Sequence, residues 1–138
     1  MLSVKQYPAD HLQDSRDRFN ERILRFNRLT TTISERDPAA LAELEHDFAE
    51  LMVVSLDAAF VHRVRAQEGK DGNPLNEVRM LADSILTNQS VLAGSSTIRY
   101  DPGRSIVGTG VGEPIRVSLD QLSVLGSAFH DEIAARYG

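Results

Sequence analysis

The residues of this chain best placed to act on a ligand together lie in one stretch, Gly69-Lys70-Asp71-Gly72-Asn73-Pro74-Leu75-Asn76-Glu77-Val78-Arg79. Asn73 followed by Pro74 marks a helix start, with a side chain that caps and a ring that suits the first position. The free amides of such an N-terminus attract an anion, and Lys70 would add positive charge beside them. Asn76, Arg79 and Asp83 recur at spacings of three and four along one flank of the same helix. Lys70, Asp71, Asn76, Glu77 and Arg79 are therefore the candidate ligand-binding residues. The competing structural reading assigns Asp71, Asn73 and Asn76 to the turn amides and pairs Arg79 with Asp83 or a neighbouring helix. Asn73 as a cap also takes up one of the amides an anion would need.

Other constellations are weaker. Gly108, Gly110 and Gly112 suggest a phosphate loop, but Glu113-Pro114 follows, which breaks a helix and places negative charge where phosphate would bind. The histidines are His11, His46, His62 and His130. Glu43 and His46 have the Glu-x-x-His spacing of a ferritin-like metal helix, yet Ala59 and Ser127 precede His62 and His130 where a second glutamate is required. His46, between Glu45 and Asp47, reads as a surface histidine. The absence of cysteine excludes disulfides, thiolate zinc sites and a cysteine nucleophile. No metal ligands, cofactor or catalytic residues are assigned.

The elements that must position these residues are helical. The chain of 138 residues suits one domain, with 41% apolar and 25% charged residues and a net charge of −5. No signal sequence opens it, and the apolar run Leu51 to Leu56 is too short to cross a bilayer, so a soluble cytoplasmic protein is expected. Phe19, Ile23, Phe26, Thr30 and Ile33 alternate four and three, the seam of a helix lying along another helix. Asp37-Pro38 starts a second helix with Leu41, Leu44, Phe48, Leu51, Ser55 and Ala59 as its stripe. Met52, Val53, Val54, Leu56, Phe60 and Val61 make its middle apolar nearly all round, as in a central or interfacial helix. An antiparallel hairpin turning near Glu35 to Asp37 would set Arg22 opposite Glu50, Arg25 opposite Asp47 and Arg28 near Glu43. The alternative use of the arginine row (Arg16, Arg18, Arg22, Arg25, Arg28) is a nucleic-acid face. Interspersed Asp14, Asp17 and Glu21 and the lack of stacking aromatics oppose it.

Downstream, Thr97-Ile98-Arg99-Tyr100 and Pro114-Ile115-Arg116-Val117 have the alternation of short strands, joined through the turn Asp101-Pro102-Gly103. Ser118 with Gln121 matches a capping box for the final helix, lined by Leu122, Leu125, Phe129 and Ile133.

The stretch Lys70-Asp71-Gly72-Asn73-Pro74-Leu75-Asn76-Glu77-Val78-Arg79-Met80-Leu81 resembles a family of small bacterial proteins with no assigned activity. The similarity continues through Thr97 to Pro102, Val111 to Ile115 and Ala128-Phe129, roughly the C-terminal half. It implies no catalytic or binding residues.

The expected fold is mainly α, a single four-helix bundle-like domain over 1–138. Its helices span about 10–33, 38–67, 74–88 and 119–136. The first two form a long N-terminal antiparallel hairpin, and a small β-hairpin lies in an extended region of about 96–117. The expected function is a non-enzymatic, self-associating interaction module, most simply a homodimer, with no membrane and possible protein partners. The alternative is a small-ligand-binding protein or enzyme using loop 69–73 and the start of the third helix. Nucleic-acid binding through the arginine row ranks third.

Overall fold

The computed structural model describes residues 3–31 and 36–138. The described residues form five helices: α1 Ala9–Thr30, α2 Pro38–Ala58, α3 Arg65–Glu68, α4 Pro74–Thr87 and α5 Leu119–Tyr137. Three helices start where the side chains predict. Asp37 accepts from the Ala40 amide, Asn73 from the Leu75 and Asn76 amides, and Ser118 and Gln121 form a reciprocal capping box. The expected apolar position Ile33, and the expected bend at Ser34 and Glu35, lie outside the described residues.

α2 packs chiefly on α4, α1 chiefly on α5, and α5 also touches α4 and α2. Between α1 and α2 the main ring contact is Phe26 stacked on Phe48, centroids 4.1 Å apart. His11 reaches the Ala59 carbonyl at 2.8 Å, so partner numbers rise as those in α1 fall and the two helices run antiparallel. Phe60, Leu75, Leu122, Leu125, Phe129 and Ile133 fill the centre of the core. α1 reaches α5 so closely that a Cβ on Gly126 would lie 2.1 Å from the Phe19 ring.

Three expectations are corrected. The buried face of α2 is Ala49, Met52, Val53 and Leu56, whereas Leu44 and Leu51 of the expected seam are 45% and 70% exposed. On a helix with apolar residues on every side, the neighbour chooses the face, and α4 rather than α1 is the principal neighbour. The arginine-to-acid register falls with it. Arg18 and Arg25 pair within α1 to Asp14 and Glu21, and Glu50 faces His46 and Ser90.

The second helix also ends at Ala58 rather than near Gln67. His62 adopts a left-handed backbone, φ 63°, and the N-terminal segment attaches there. Val4 donates to the His62 carbonyl at 2.7 Å and accepts from the Val64 amide at 3.0 Å. The turn swings Arg63 inward, and the single-turn α3 follows.

The β-hairpin is not formed; among the described residues there are only isolated bridges, Val4 with Arg63 and Val91 with Pro114. Pro114 and Ile115 pair with residues 90–92 instead of 97–100, through Ile115 N to Ser90 O at 2.8 Å and Leu92 N to Glu113 O at 3.0 Å. Side chains replace a ladder elsewhere. Both Glu77 carboxylate oxygens accept backbone amides, from Ile106 and Val107, each at 2.9 Å. Pro102 and Pro114 lack the amide donor a ladder needs, and the glycines between them weaken a strand.

We predict that Gly126→Ala destabilises the protein by about 1–3 kcal/mol, because Phe19 must leave its rotamer to admit the methyl. Urea denaturation would show it as a lower midpoint at unchanged slope.

Candidate functional site

The stretch 63–79 closes around one carboxylate. Glu68 ends α3 with no exposed surface. Arg79 holds it through Nη2 to Oε1 at 2.6 Å and Nε to Oε2 at 3.0 Å. Arg63 Nε donates to Oε1 at 3.0 Å, and Asn76 Nδ2 to Oε2 at 3.0 Å. Arg63 is itself buried, donating to Asp57 Oδ1 at 3.1 Å and to the Phe60 carbonyl at 3.0 Å. Its guanidinium lies 5.5 Å from the Phe129 ring centroid. Two guanidiniums face two carboxylates, so the cluster is neutral. Burial by itself would raise the Glu68 pKa; the Arg79 hydrogen bond and the charges of Arg63 and Arg79 outweigh it and hold the group below its ordinary value. The same hydrogen bond raises the pKa of Arg79.

The loop before α4 is built on the cluster. Asn73 accepts the Leu75 and Asn76 amides and donates to the Glu68 carbonyl at 2.7 Å and Asp71 Oδ1 at 2.8 Å. That hydrogen bond lowers the pKa of Asp71 against a smaller opposing effect of burial. Asn76 takes the Gly72 amide at 3.0 Å and donates to the Gly69 carbonyl at 3.0 Å. Gly72 has φ 86°, and a Cβ there would lie 2.5 Å from the Arg99 carbonyl oxygen, so glycine alone suits both its conformation and its space.

The five candidate side chains thus take different places. Arg79 binds Glu68 rather than Asp83, and its partly exposed edge lines a cleft of about 400 Å³ with Arg65, Asp83, Thr87 and Ser95. Asp71 lines another cleft of about 320 Å³ with Arg99, Tyr100 and Arg104. Asn76 and Glu77 are buried and engaged in structural hydrogen bonds, and Lys70 is exposed. No described cleft gathers all five. Asp83 is held above its usual pKa by burial on one side and then by the negative charge of Asp57.

Glu68 and Arg63, the centre of the cluster, carried no signal in the sequence. Five residues apart, across a turn with neither glycine nor proline, they resemble any solvated pair on a helix. A serine–histidine contact was equally hidden. Ser15 Oγ lies 3.0 Å from His130 Nε2, and His130 Nδ1 lies 2.7 Å from the Gly126 carbonyl. The carbonyl requires a proton on Nδ1, so Ser15 donates to Nε2. A groove of about 320 Å³ between α1 and α2, lined by His11, Asp14, Ser15, Arg18 and Arg22, runs past the hydroxyl. The arrangement has the geometry of a nucleophile and its base. Burial, however, lowers the His130 pKa to about 4, against a smaller opposing effect of its bond to Gly126, which makes it a poor proton acceptor near neutrality. It is a core histidine whose two nitrogens are both satisfied.

His46 is half-buried rather than a free surface group, with Nε2 3.4 Å from Glu50 Oε1. Among the described residues no helix is long and apolar enough to cross a membrane. Comparison with protein-family models, curated proteins and solved structures finds no match to this chain.

We predict that Glu68→Gln destabilises the fold by about 3–5 kcal/mol, since it leaves two largely buried guanidiniums with Asp57 as their one anion. Equilibrium urea unfolding measures it; a loss below 1 kcal/mol would show that the cluster does not constrain the fold. The second prediction concerns pH. His130 is neutral when folded and titrates near 6.5 when unfolded, so its contribution is complete above pH 6.5 and declines as pH falls towards 4. The decline amounts to about 3 kcal/mol. Glu68 and Asp71, with lowered values, begin to lose theirs as pH falls through the ordinary carboxylate range and finish below it. A series of unfolding curves from pH 7 to 4 should show the upper limb flattened in His130→Gln.

Proposed function

We propose that the protein is a non-enzymatic module that self-associates through the outer face of α1 and α2. One observation carries this reading: Leu44 and Leu51, one heptad apart on α2, are 45% and 70% exposed. Exposed Ala40 and Ala58 continue the same line, Val54 borders it while packing partly on the core, and Asp47 is the one charge within it. The line has the period of a helix–helix seam and lies opposite the face that α2 buries in its own core. On α1, Arg18, Arg22 and Arg25 are exposed at matching spacings, while Glu43 and Asp47 are exposed on α2. A two-fold pairing of two copies would lay the arginines of each against the acids of the other, which favours a second copy as the partner. The engagement of Asn76, Glu77 and Arg79 inside the fold supports a non-enzymatic role.

The cleft beside Arg65 and Arg79 favours a second reading, a small-ligand site. Two guanidiniums and the hydroxyls of Thr87 and Ser95 line it. It differs from the site expected around loop 69–73 in that Lys70 and Asp71 are not part of its lining. For nucleic acid the support is weaker, because the chain is acidic overall.

Sedimentation equilibrium over a wide concentration range tests the proposal. A dimer is expected, and Leu51→Glu should weaken it by at least about tenfold without loss of helicity, because one buried charge in a seam is costly. Wild-type protein that remains monomeric at the highest concentrations would overturn the reading.

A further inference from the structure

We propose that His46, Asp47 and Glu50 of α2 form a binding site for a divalent transition-metal ion of the zinc class. One donor atom from each residue lies within 4.8 Å of the others. Two of the three are already in place: His46 Nε2 and Glu50 Oε1 are 3.4 Å apart, with side chains 22% and 17% exposed. At that separation the pair is too long for a charge-assisted hydrogen bond. Two donors 3.4 Å apart, each about 2.1 Å from one ion, subtend about 108° at it, close to the tetrahedral angle zinc prefers.

The second carboxylate oxygen of Glu50 is not available to turn inward, because Ser90 Oγ donates to it from the loop after α4. Ser90 has a left-handed backbone, φ 59°, and its carbonyl is tied to the Ile115 amide, so the hydroxyl is presented by a fixed loop. A carboxylate with one oxygen bonded to a hydroxyl and the other directed at an imidazole nitrogen has the outer support that metal-ligating carboxylates require. Asp47, one residue on and exposed, closes onto the ion by side-chain rotation, and water takes the fourth position. An imidazole nitrogen in the set selects zinc, cobalt, nickel or copper over magnesium and calcium. Three protein ligands and an open side describe an exchangeable site. The Glu43-x-x-His46 spacing is not what forms it: the ligands lie C-terminal to the histidine.

The probe is Co²⁺ titrated into the purified protein, read by visible absorption and followed by displacement with Zn²⁺. The expected result is a tetrahedral Co²⁺ spectrum at one equivalent, abolished by zinc. His46→Ala and Asp47→Asn should each weaken binding at least tenfold with unchanged circular dichroism; Asp47 is exposed, so its variant keeps the test independent of folding. Ser90→Ala, which removes only the support of Glu50, should weaken binding by about 10- to 100-fold. A spectrum that never becomes tetrahedral, or an affinity unchanged in both His46→Ala and Asp47→Asn, would overturn the proposal and leave His46 and Glu50 as an ordinary ion pair on α2.

Discussion

A carboxylate with no access to water must find its counter-charges inside the protein, and Glu68 imposes that requirement on everything around it. Arg63 comes from the turn after α2, and Arg79 and Asn76 from α4. To deliver Arg63, α2 has to stop and the chain has to reverse through His62. To deliver Arg79 and Asn76, α4 has to start where Asn73 caps it, and Asn73 is fixed in turn by the Glu68 carbonyl. Each partner lost leaves a charge without compensation in a medium that does not tolerate it. The cluster therefore fixes relative positions, whatever it adds to stability.

A second carboxylate does for the irregular C-terminal segment what Glu68 does for the helices. Glu77 is 2% exposed and accepts two consecutive amides, at 106 and 107. Gln121 Nε2 then takes the Val107 carbonyl at 3.2 Å, and the Tyr100 hydroxyl takes that of Thr109. A stretch that cannot form a ladder is ordered by side chains from α4 and α5. Glu68 engages Asn76 and Arg79 whereas Glu77 engages the 106–107 amides, which explains why residues that look like one ligand-binding group along the sequence are separated by function in the fold.

The outer side of α2 presents a different physical situation. Its inward face meets α4, while Leu44 and Leu51 meet no comparable neighbour and the half-buried pair of His46 and Glu50 lies between α2 and the loop carrying Ser90. Internal charges are matched and internal polar atoms satisfied; among the described residues no buried side-chain nitrogen or oxygen lacks a partner. What remains for interaction with other molecules is therefore at the surface, in the apolar line of α2, the arginines of α1 and the clefts beside α4.

Local chemistry was legible in the amino-acid sequence. Asp37-Pro38, Asn73-Pro74 and Ser118 with Gln121 start helices because capping needs only neighbours within three residues. Phe19, Ile23 and Thr30 of α1 are buried as their spacing requires, because one face of that helix is clearly the more apolar; Leu122, Leu125, Phe129 and Ile133 of α5, spaced at three and four, are buried too. Where local preference was ambiguous, tertiary structure decided. The nearly uniform α2 took its buried face from α4, and it ended at Ala58 because Val4 and Glu68 claimed the next residues rather than because any residue breaks a helix there. Strand-like 97–100 forms no ladder with 114–117, because 113–115 bond to 90–92 and the Arg99 amide goes to the Lys70 carbonyl instead. Spacing along the chain could group Lys70, Asp71, Asn76, Glu77 and Arg79. Only the fold, by burying Glu68 against one side of α4 and the 106–107 amides against another, could separate them, since burial and long-range pairing depend on residues the sequence does not place side by side.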